Sequence, residues 1–551
     1  MKQRILLKVH PKDNVLVALT DLLKGELLSY DGVDYLLQDQ VSAKHKFNTV
    51  DLKPNDELIM YGVLVGKAQS DIPAGSLLTT ANIKHAATSF ETNEAHLLWN
   101  KPDISAWKDR TFNGFHRNDG QVGTANYWLV IPMVFCENRN LEVIQEALLN
   151  NLGYGRNETY QQQAKELISL YEEGKSLDEI LSTQLSYTEQ KEKANRLFPN
   201  VDGIKFLTHT GGCGGTRQDS QTLCGLLAGY ITHPNVAGAT ILSLGCQNAQ
   251  VNILQEEIQK RVVNFDKPLY ILDQQTIGKE SELLSLAIKQ TFAGLIQANA
   301  HVRKPAPLSK LCIGLECGGS DGFSGISANP AIGYTSDLLV ALGGSVILAE
   351  FPELCGVEQN LSDRCVNRED AARFSDLMTT YSSRATAAGS GFDMNPSPGN
   401  IRDGLITDAI KSAGAAKKGG TSPVVAVLDY PEKVTKPGLN LLCTPGNDVE
   451  STTAEVGSGA NVVLFTTGLG TPTGNPIAPV VKIASNTRLF DKMRDIIDLD
   501  TGSIIEGTER IEAAGERILE YVIEVASGNV EVSALRHRQD DFIPWKRGVS
   551  L

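Results

Sequence analysis

The first part of the chain alternates short apolar runs with polar turns. Residues 1–88 contain runs such as RILLKVH, VLVALT and ELIMYGVLVGKA, separated by turn-forming stretches such as Pro11 to Asn14. Short apolar runs bounded by Pro, Gly, Asn and Asp are typical of β-strands. The pattern predicts a small β-rich domain over residues 1–88. A linker over residues 89–110 follows, because no regular period continues there.

From residue 111 onward, apolar runs typical of buried strands alternate with helical segments. The runs include YWLVIPMVF, IKFLTHT, GATILSLG, KLCIGLE and NVVLFTTG. This alternation predicts a multidomain α/β protein with largely parallel sheets. We expect a second domain over residues 111–300, with a polar helical insertion near residues 160–197. A C-terminal domain is expected over residues 301–551.

Composition narrows the class of protein and of partner. The 551 residues are 41% hydrophobic and 21% charged, and the formal net charge is −14. The acidic balance argues against nucleic acid or an anionic membrane as a partner. We expect neither a signal peptide nor a membrane helix. Nine irregularly spaced cysteines indicate reduced thiols and a cytoplasmic protein. A protein of this size is expected to form a homo-oligomer, in the first instance a dimer.

Glycine-rich polar turns follow five of the predicted strands. These turns read GGCGGTRQDS, GCQNAQ, ECGGSDGFSG, TPGND and GLGTPTGNP. In open α/β sheets, ligands bind outside the carboxyl ends of the strands. We therefore expect the turns to build one composite site for a small polar ligand. The alternative is that the glycines only make the turns tight.

Four cysteines stand at the ends of predicted strands, namely Cys136, Cys213, Cys246 and Cys317. Thiolates that converge in a reduced compartment can bind iron, zinc or an iron–sulfur cluster. His209 precedes Cys213 at the same strand end, where it could act as a ligand or a base. The alternative is that these thiols are small buried hydrophobic groups.

Several motifs resemble a known family of sugar-acid dehydratases. The segments VHPKDNVLVAL, AKHKF and YGVLVGKAQSDIPAG look like the SAF-type β-clip domain that opens these enzymes. The segments THTGGCGG, LGCQNAQ, ECGGSDGFSGISANP, NPSPGN, PGLNLLCTPGND and FTTGLGTPTGN resemble the body of the altronate and galactarate dehydratase family. The resemblance covers nearly the whole chain. It implies an iron-dependent lyase that removes water from D-altronate to give 2-dehydro-3-deoxy-D-gluconate.

Two motifs depart from the family pattern. Ala125 in QVGTAN stands where the family usually carries Arg. Thr79 to Asn82 reads TTAN where the first domain commonly ends in HxHN. These departures leave the reaction type in place and leave the exact substrate open.

Dehydration of a 2,3-dihydroxy acid needs a base for the weakly acidic C2 proton and a metal that neutralises the developing charge. We predict Fe(II), with Mn(II) as the second choice, among the strand-end thiolates and His209. His45, between Lys44 and Lys46, is the predicted base or acid. Lys46 or Arg217 is predicted to pair with the substrate carboxylate. The predicted sugar-hydroxyl ligands are Ser320, Asp321, Asn447, Asp448 and Thr471.

Other functions are compatible with the same motifs. Within the same chemistry, the substrate could be galactarate, another aldarate, or a sulfonated hydroxy acid that loses sulfite. A non-catalytic sugar-acid sensor would bind the ligand without turnover. A thiol redox protein would need two cysteines that form a disulfide, and the chain has no CxxC motif.

Overall fold

The computed structural model describes residues 4–87, 99–155, 159–187 and 196–550. Much of the linker predicted over residues 89–110 falls on residues 88–98, which lie outside the described residues. The end of the predicted helical insertion, residues 188–195, also lies outside them. Within the described ranges, no helix has both the length and the apolar character needed to cross a membrane.

Short strands form the N-terminal domain, as the sequence predicts. Their bounds in chain order are β1 (Leu6–Leu7), β2 (Val15–Ala18), β3 (Leu27–Tyr30), β4 (Val33–Leu36), β5 (Lys46–Asn48), β6 (Glu57–Met60), β7 (Val63–Ala68) and β8 (Ile83–Lys84). They pair in the orders β1-β2-β5, β3-β4 and β6-β7-β8, and every pairing is antiparallel. Apolar side chains such as Leu16, Leu37 and Phe47 fill a small core, which fits the predicted SAF-type domain.

The second domain is built on a parallel sheet. Its elements in chain order are β9 (Thr111–His116), β10 (Val122–Gly123), β11 (Tyr127–Pro132), α1 (Asn138–Leu149), α2 (Thr159–Glu172), α3 (Leu177–Ser182), β12 (Gly203–Phe206), α4 (Arg217–Thr232), β13 (Val236–Ser243), α5 (Val251–Arg261), β14 (Leu269–Asp273), α6 (Gln274–Ile277), α7 (Glu280–Ala298) and β15 (Lys304–Pro307). The order β12-β11-β13-β14 is parallel throughout. β11 and β13 are buried along their whole length, which explains their unbroken apolar runs.

The C-terminal domain contains a larger parallel sheet. Its elements in chain order are β16 (Cys312–Cys317), α8 (Ala328–Ala341), β17 (Ser345–Leu348), α9 (Glu358–Asp363), α10 (Arg368–Ala387), α11 (Pro398–Arg402), α12 (Asp408–Ala415), β18 (Val424–Leu428), β19 (Gly438–Leu442), α13 (Asp448–Ser458), β20 (Val462–Thr467), β21 (Val480–Ala484), α14 (Thr487–Lys492), β22 (Leu499–Asp500), α15 (Gly502–Glu506), α16 (Ile511–Ala526) and α17 (Ser533–Arg536). The seven strands pair in the order β18-β19-β17-β16-β20-β21-β22, all parallel. The α/β fold class with largely parallel sheets is therefore confirmed.

Strand β16 lies at the point where the order of the large sheet reverses. The chain moves from β16 to β17 on one side and later returns to place β20 on the other side. Loops diverge at such a point and leave a crevice outside the carboxyl ends of the strands. The turns after β16, β19 and β20 belong to this sheet, whereas those after β12 and β13 belong to the smaller one. The five predicted turns are thus divided between two sheets.

Buried polar contacts dock the N-terminal domain on the C-terminal domain. The Thr407 hydroxyl donates a hydrogen bond of 2.9 Å to the carbonyl oxygen of Val65. The same hydroxyl oxygen accepts from the backbone N–H of Ile410 and so caps the start of α12. The Lys46 ammonium group donates to the carbonyl oxygen of Gly404 at 2.6 Å. One side chain, Thr407, therefore serves both a helix and a domain interface.

Replacing Thr407 by Val should lower the free energy of unfolding by about 1–2 kcal/mol, because the helix cap and a buried hydrogen bond are lost together while the shape is kept. Chemical denaturation of the full chain measures this. Thr222→Val, at a half-buried position of α4 whose hydrogen bond stays within the helix, should change stability by no more than about 0.5 kcal/mol. Equal effects of the two substitutions would contradict the interface role of Thr407.

Candidate active site

The turn after β16 is crowded by other elements, and its glycines make room for them. A β-carbon at Gly318 would clash with the Asp448 carboxylate, and one at Gly322 would clash with the backbone carbonyl of Lys44. Asp448 begins α13, whereas Lys44 belongs to the N-terminal domain. Two elements that are distant in sequence therefore meet at this turn, as expected for the wall of a composite site.

A buried group of carboxylates and lysines lies directly beneath this turn. Glu316 and Cys317 are the last residues of β16, and Glu350 and Glu353 follow β17. Glu353 is in a short 3-10 helix, Phe351–Leu354. The cations come from α12, which carries Lys411, and from the 3-10 helix Ala416–Gly419, which carries Lys418. We call this set, together with Asp448, the carboxylate cluster.

Short ion pairs connect the members of the carboxylate cluster. The Lys418 Nζ atom lies 2.6 Å from Glu350 Oε2 and 2.9 Å from the Cys317 sulfur. The Lys411 Nζ atom lies 2.6 Å from Glu353 Oε1. The Cys317 thiol in turn donates to Glu353 Oε2 at 3.1 Å. The two lysines therefore neutralise only part of the negative charge that the carboxyl groups can carry.

The carboxyl groups of the cluster outnumber its lysines, and this excess shows in their pKa values. Burial, followed by repulsion from Glu350, raises the pKa of Glu316 well above its usual range. Burial, followed by Glu350 and Glu353, raises the pKa of Asp448 to about 7. Burial also opposes the charged form of Glu353, but Lys411 and Lys418 outweigh it and lower the pKa of Glu353. A proton or a cation must therefore compensate the remaining charge.

Glu350 has an unusual backbone conformation. Its φ and ψ angles are 62° and 59°, in the left-handed region that residues with a side chain rarely occupy. Its backbone N–H donates to the Thr444 hydroxyl at 2.7 Å, which helps to hold this geometry. Such conformations persist where the surroundings fix them, and they concentrate at functional sites.

The carboxylate cluster has the donors that a divalent cation requires. Oxygens of Glu316, Glu350 and Asp448 lie within 4.8 Å of one another. Both carboxylate oxygens of Glu316 and Oε1 of Glu350 are buried and have no hydrogen-bond partner other than the carboxyl group of the other glutamate. An all-oxygen donor set suits hard cations such as Mg(II) and Mn(II), and Fe(II) is compatible with it. The residues present therefore fit a divalent metal ion.

The N-terminal domain brings its basic segment to the edge of the same turn. Lys44 Nζ lies 3.1 Å from Asp321 and 2.8 Å from Asp403. His45 is half-buried, and its Nε2 lies 2.9 Å from the carbonyl oxygen of Arg402. Burial, aided by Lys46 and Lys44, lowers the pKa of His45, so the imidazole is neutral near pH 7. Burial likewise lowers the pKa of Lys46 to about 8.

The predicted sugar-hydroxyl ligands are distributed around the turn. Asp321 is fully buried, and its carboxylate accepts from Ser324 and Ser485, among other groups, inside the fold. The Ser320 hydroxyl is buried and has no hydrogen-bond partner. The Thr471 hydroxyl faces Gly319, where a β-carbon would lie 3.0 Å away. The Ser320 hydroxyl therefore has unused hydrogen-bonding capacity in a buried position.

The remaining predicted residues occupy different positions. The Asn447 side chain caps α13 by accepting from the backbone N–H of Glu450 at 3.2 Å. Arg217 is exposed at the first position of α4. His209 is buried, with Nε2 2.8 Å from the carbonyl oxygen of Pro132 and Nδ1 accepting from the backbone N–H of Gly211. Both ring nitrogens of His209 are thus engaged within the fold.

The four predicted metal-binding thiols are not brought to one point. Cys136, Cys213 and Cys246 are exposed and follow β11, β12 and β13, three neighbouring strands of the smaller sheet. Cys317 instead lies against Glu350 in the carboxylate cluster. Among the described residues, no group of His, Cys, Asp and Glu close enough to hold one ion contains two of these thiols. Iron binding by the three exposed thiols stays a prediction.

Three family models match consecutive parts of the chain. They describe the altronate/galactarate dehydratase SAF domain over residues 4–86 and the second domain of D-galactarate dehydratase/altronate hydrolase over residues 114–299. The third describes the C-terminal domain of D-galactarate/altronate dehydratase over residues 308–550.

Curated proteins show the same relationship over the full length. Altronate dehydratase of Bacillus subtilis strain 168 is 33% identical over 548 residues, which is 99% of each chain. The chain belongs to the altronate/galactarate dehydratase family. Galactarate dehydratase (L-threo-forming) of Escherichia coli K12 is 30% identical over 531 residues, 95% of this chain and 92% of the relative.

A third relative carries a different enzyme name. The (2R)-sulfolactate sulfo-lyase subunit beta of Chromohalobacter salexigens is 33% identical over 436 residues, 78% of this chain and 97% of the relative. The dehydratase names of the full-length relatives place this family member among the lyases. The resemblance to a sugar-acid dehydratase family with an SAF domain is therefore confirmed.

The two departures from the family motifs lie outside the carboxylate cluster. Thr79 and Asn82 form a turn in which the Asn82 side chain accepts from the backbone N–H of Thr79 at 2.8 Å. Ala125 is buried and lines a cleft of about 620 Å³ together with Arg303 and Arg538. None of the predicted catalytic, substrate-binding or metal-binding residues is among the described residues that line this cleft.

Sequence reasoning missed most of the carboxylate cluster, namely Glu316, Glu350, Glu353, Lys411 and Lys418. One signal was available: the runs LCIGLEC and VILAEFPEL place carboxylates inside apolar stretches. A charged residue in a buried run needs a partner, and that partner marks a candidate site. The lysines carry no such signal, because LITDAIKSAGAAKKGG reads as an ordinary helix end.

His209 predicts a specific loss of stability in acid. Burial lowers the pKa of His209 from 6.5 to about 4. Below pH 6.5 the unfolded chain therefore binds a proton at His209 that the folded chain does not bind. The stability present above pH 6.5 is lost as the pH falls toward 4. His209→Gln should reduce this slope in thermal unfolding measured across that range. The exposed His116→Gln should leave it unchanged, and an unaltered slope in His209→Gln would contradict the assignment.

Proposed function

We propose that this family member is a hydro-lyase that converts D-altronate to 2-dehydro-3-deoxy-D-gluconate and water. The observation that carries the proposal is the group Glu316, Glu350 and Asp448 at the carboxyl end of β16, in which oxygens of the two buried glutamates have no hydrogen-bond partner outside that pair. Its position at the reversal point of the sheet is where α/β enzymes bind small ligands. The altronate dehydratase relative, which matches over 99% of both chains, supports the choice of substrate.

These three carboxylates would hold a divalent cation, in the first instance Fe(II) and otherwise Mn(II). When bound, the cation supplies a positive charge that offsets the negative charge developing on the substrate. Asp448 is half-buried beside the exposed Asn447, whereas Glu316 and Glu350 are fully buried. The Asp448 side of the carboxylate cluster is therefore the side that a solvent-borne sugar acid would approach.

The chain's own cations and bases would divide the remaining work. Cys317 and the carboxylates outweigh burial and raise the pKa of Lys418, so its ammonium group stays protonated. It would stabilise an enolate after the C2 proton has left. His45 is neutral near pH 7 and would accept that proton as the general base, then return it to the C3 hydroxyl as the C3–O bond breaks and water leaves; the resulting enol tautomerises to the 2-keto acid. The buried, unpartnered Ser320 hydroxyl would bind a sugar hydroxyl.

Two groups were expected to pair with the substrate carboxylate. Lys46 is buried and already donates to the carbonyl oxygen of Gly404. Arg217 is exposed on the first turn of α4 and has the planar guanidinium that matches a carboxylate. Arg217 begins the helix that follows β12 of the smaller sheet, and the choice between Lys46 and Arg217 stays a prediction. We also propose the reducing cytoplasm as the compartment and a homodimer as the assembly. All nine cysteines are free, which is consistent with that compartment.

The smaller sheet offers an alternative location for the iron, and the proposed reaction stays the same. The exposed thiols of Cys136, Cys213 and Cys246 follow neighbouring strands, and backbone hydrogen bonds connect their loops. Phe135 N–H donates to the carbonyl oxygen of Gly211, and Asn248 N–H donates to that of Gly212. Three thiolates suit an iron–sulfur cluster, which oxygen donors do not.

Substrate choice is tested with anaerobically purified full-length protein loaded with Fe(II) or Mn(II). D-altronate, galactarate and sulfolactate are offered separately, and formation of 2-keto-3-deoxy acid or release of sulfite is measured. Turnover of D-altronate above the other acids is the expected result. Preference for galactarate or sulfolactate would replace the proposed substrate, and binding without turnover would favour a sensor.

The metal-binding residues are tested by substitution. Glu316→Gln should lower kcat by about 100-fold or more, because a charged ligand is lost from the reacting centre. Glu369→Gln, exposed on the first turn of α10, is the matched control and should keep full activity. Serine at Cys136, Cys213 and Cys246 together should leave turnover and iron content intact. Loss of iron and sulfide from that triple variant would show that the three thiols bind the metal, and not the carboxylates.

A further inference from the structure

A second group of possible metal ligands lies where the N-terminal domain ends on the C-terminal domain. His85 follows β8, Cys355 follows the 3-10 helix Phe351–Leu354, and Asp408 begins α12. One ligand atom from each of these three residues lies within 4.8 Å of the other two. The three side chains therefore come from two domains and from three separate stretches of the chain.

Close packing holds this junction together. Gly356 has a φ of +92°, and a β-carbon there would lie 3.1 Å from the β-carbon of Ala87 and 3.5 Å from that of Ala409. The His85 Nδ1 accepts a hydrogen bond of 3.4 Å from the backbone N–H of Ala409. The segment that carries His85 therefore packs onto the start of α12. The His85 ring lies beside the backbone of Ala409, the residue that follows Asp408.

Asp408 supplies an observation that points to a ligand. Its side chain is 1% exposed, and its Oδ2 has no hydrogen-bond partner other than the neighbouring Cys355 thiol. Its Oδ1 only reaches the Asn395 side chain at 3.5 Å. A buried carboxylate with so few donors is costly unless something else satisfies it.

A nucleophilic cysteine does not explain the group. Burial, followed by the charges of Asp408 and Glu358, raises the pKa of Cys355, which is the opposite of an activated thiol. Burial also lowers the pKa of His85, which leaves a neutral imidazole. A neutral imidazole, a thiol that loses its proton on binding and a carboxylate are the ligands that zinc-type ions take.

We propose that His85, Cys355 and Asp408 bind a second divalent cation of the zinc type, which fastens the N-terminal domain to the C-terminal domain. Its mixed nitrogen, sulfur and oxygen donors differ from the all-oxygen set of Glu316, Glu350 and Asp448. The two sites therefore select cations of different chemical preference. Three protein ligands leave one tetrahedral position for water.

The site also bears on the carboxylate cluster. Asp408 and Lys411 are one turn apart on α12, and Lys411 forms the ion pair with Glu353. Glu353 and Cys355 are two residues apart, so both ends of that ion pair stand next to a proposed ligand. A cation at the domain junction would fix the position of Lys411 and Glu353 without touching the substrate.

Cobalt(II) titration of the full-length protein tests the proposal, because a cobalt–thiolate bond gives a charge-transfer band that oxygen ligands do not. The wild type should bind one Co(II) whose band disappears in Cys355→Ser. His85→Gln should weaken this binding roughly 100-fold. Cys312→Ser, a thiol outside the group, and Glu316→Gln, in the carboxylate cluster, should both keep the band.

Thermal unfolding provides the second measurement. Zn(II) should raise the Tm of the wild type and of Glu316→Gln, but not that of His85→Gln. If Cys355→Ser fails to fold, the His85→Gln variant at this half-buried position provides the test. A thiolate band that persists unchanged in folded Cys355→Ser, or equal Zn(II) stabilisation of His85→Gln, would overturn the proposal. The catalytic proposal does not depend on either result.

Discussion

The ammonium group of Lys418 is the charge on which the centre of the C-terminal domain depends. It is almost completely buried and contacts both Glu350 and Cys317, two groups that would otherwise repel each other or require protons. Removing one partner from such a buried network leaves uncompensated charge, which costs far more than the loss of a surface ion pair. Lys411, on α12, likewise neutralises the charge of Glu353. The carboxyl groups beyond these two lysines are the ones that we propose to hold a cation.

The N-terminal domain is part of this arrangement and not an independent attachment. Lys44 reaches the fully buried Asp321 in the turn after β16, and Gly322 leaves the space for the Lys44 backbone. His85 reaches the residues that flank the Lys411–Glu353 ion pair. Two separate segments of the small domain, around Lys44 and around His85, thus pack against the turn after β16 and the start of α12. The N-terminal domain therefore contacts segments that adjoin the cluster in sequence.

The sequence predicted the class of fold better than it predicted which distant residues meet in space. The turn from Glu316 to Pro330 could be recognised because its glycines and polar residues directly follow a buried strand. The strand-end thiols were expected to converge. The sequence of a strand does not specify which strand it pairs with, however, and Cys317 belongs to a different sheet from the other three. Glu350 and Lys418 were missed because their significance lies in a contact between distant segments. Similarly, nothing local to His85 indicates that it meets Cys355 and Asp408.

The position of β16 between β17 and β20 has a consequence for how the protein matures. Glu316 and Glu350 leave the ribosome well before Asp448, and β20, which completes the central part of the sheet, follows only after α13. Contacts of such long sequence separation form late, because a long loop must be closed first. Until then the carboxylates of the early strands stand in water as ordinary acidic groups. A cation at the proposed site would therefore be bound late, by chains that have finished folding.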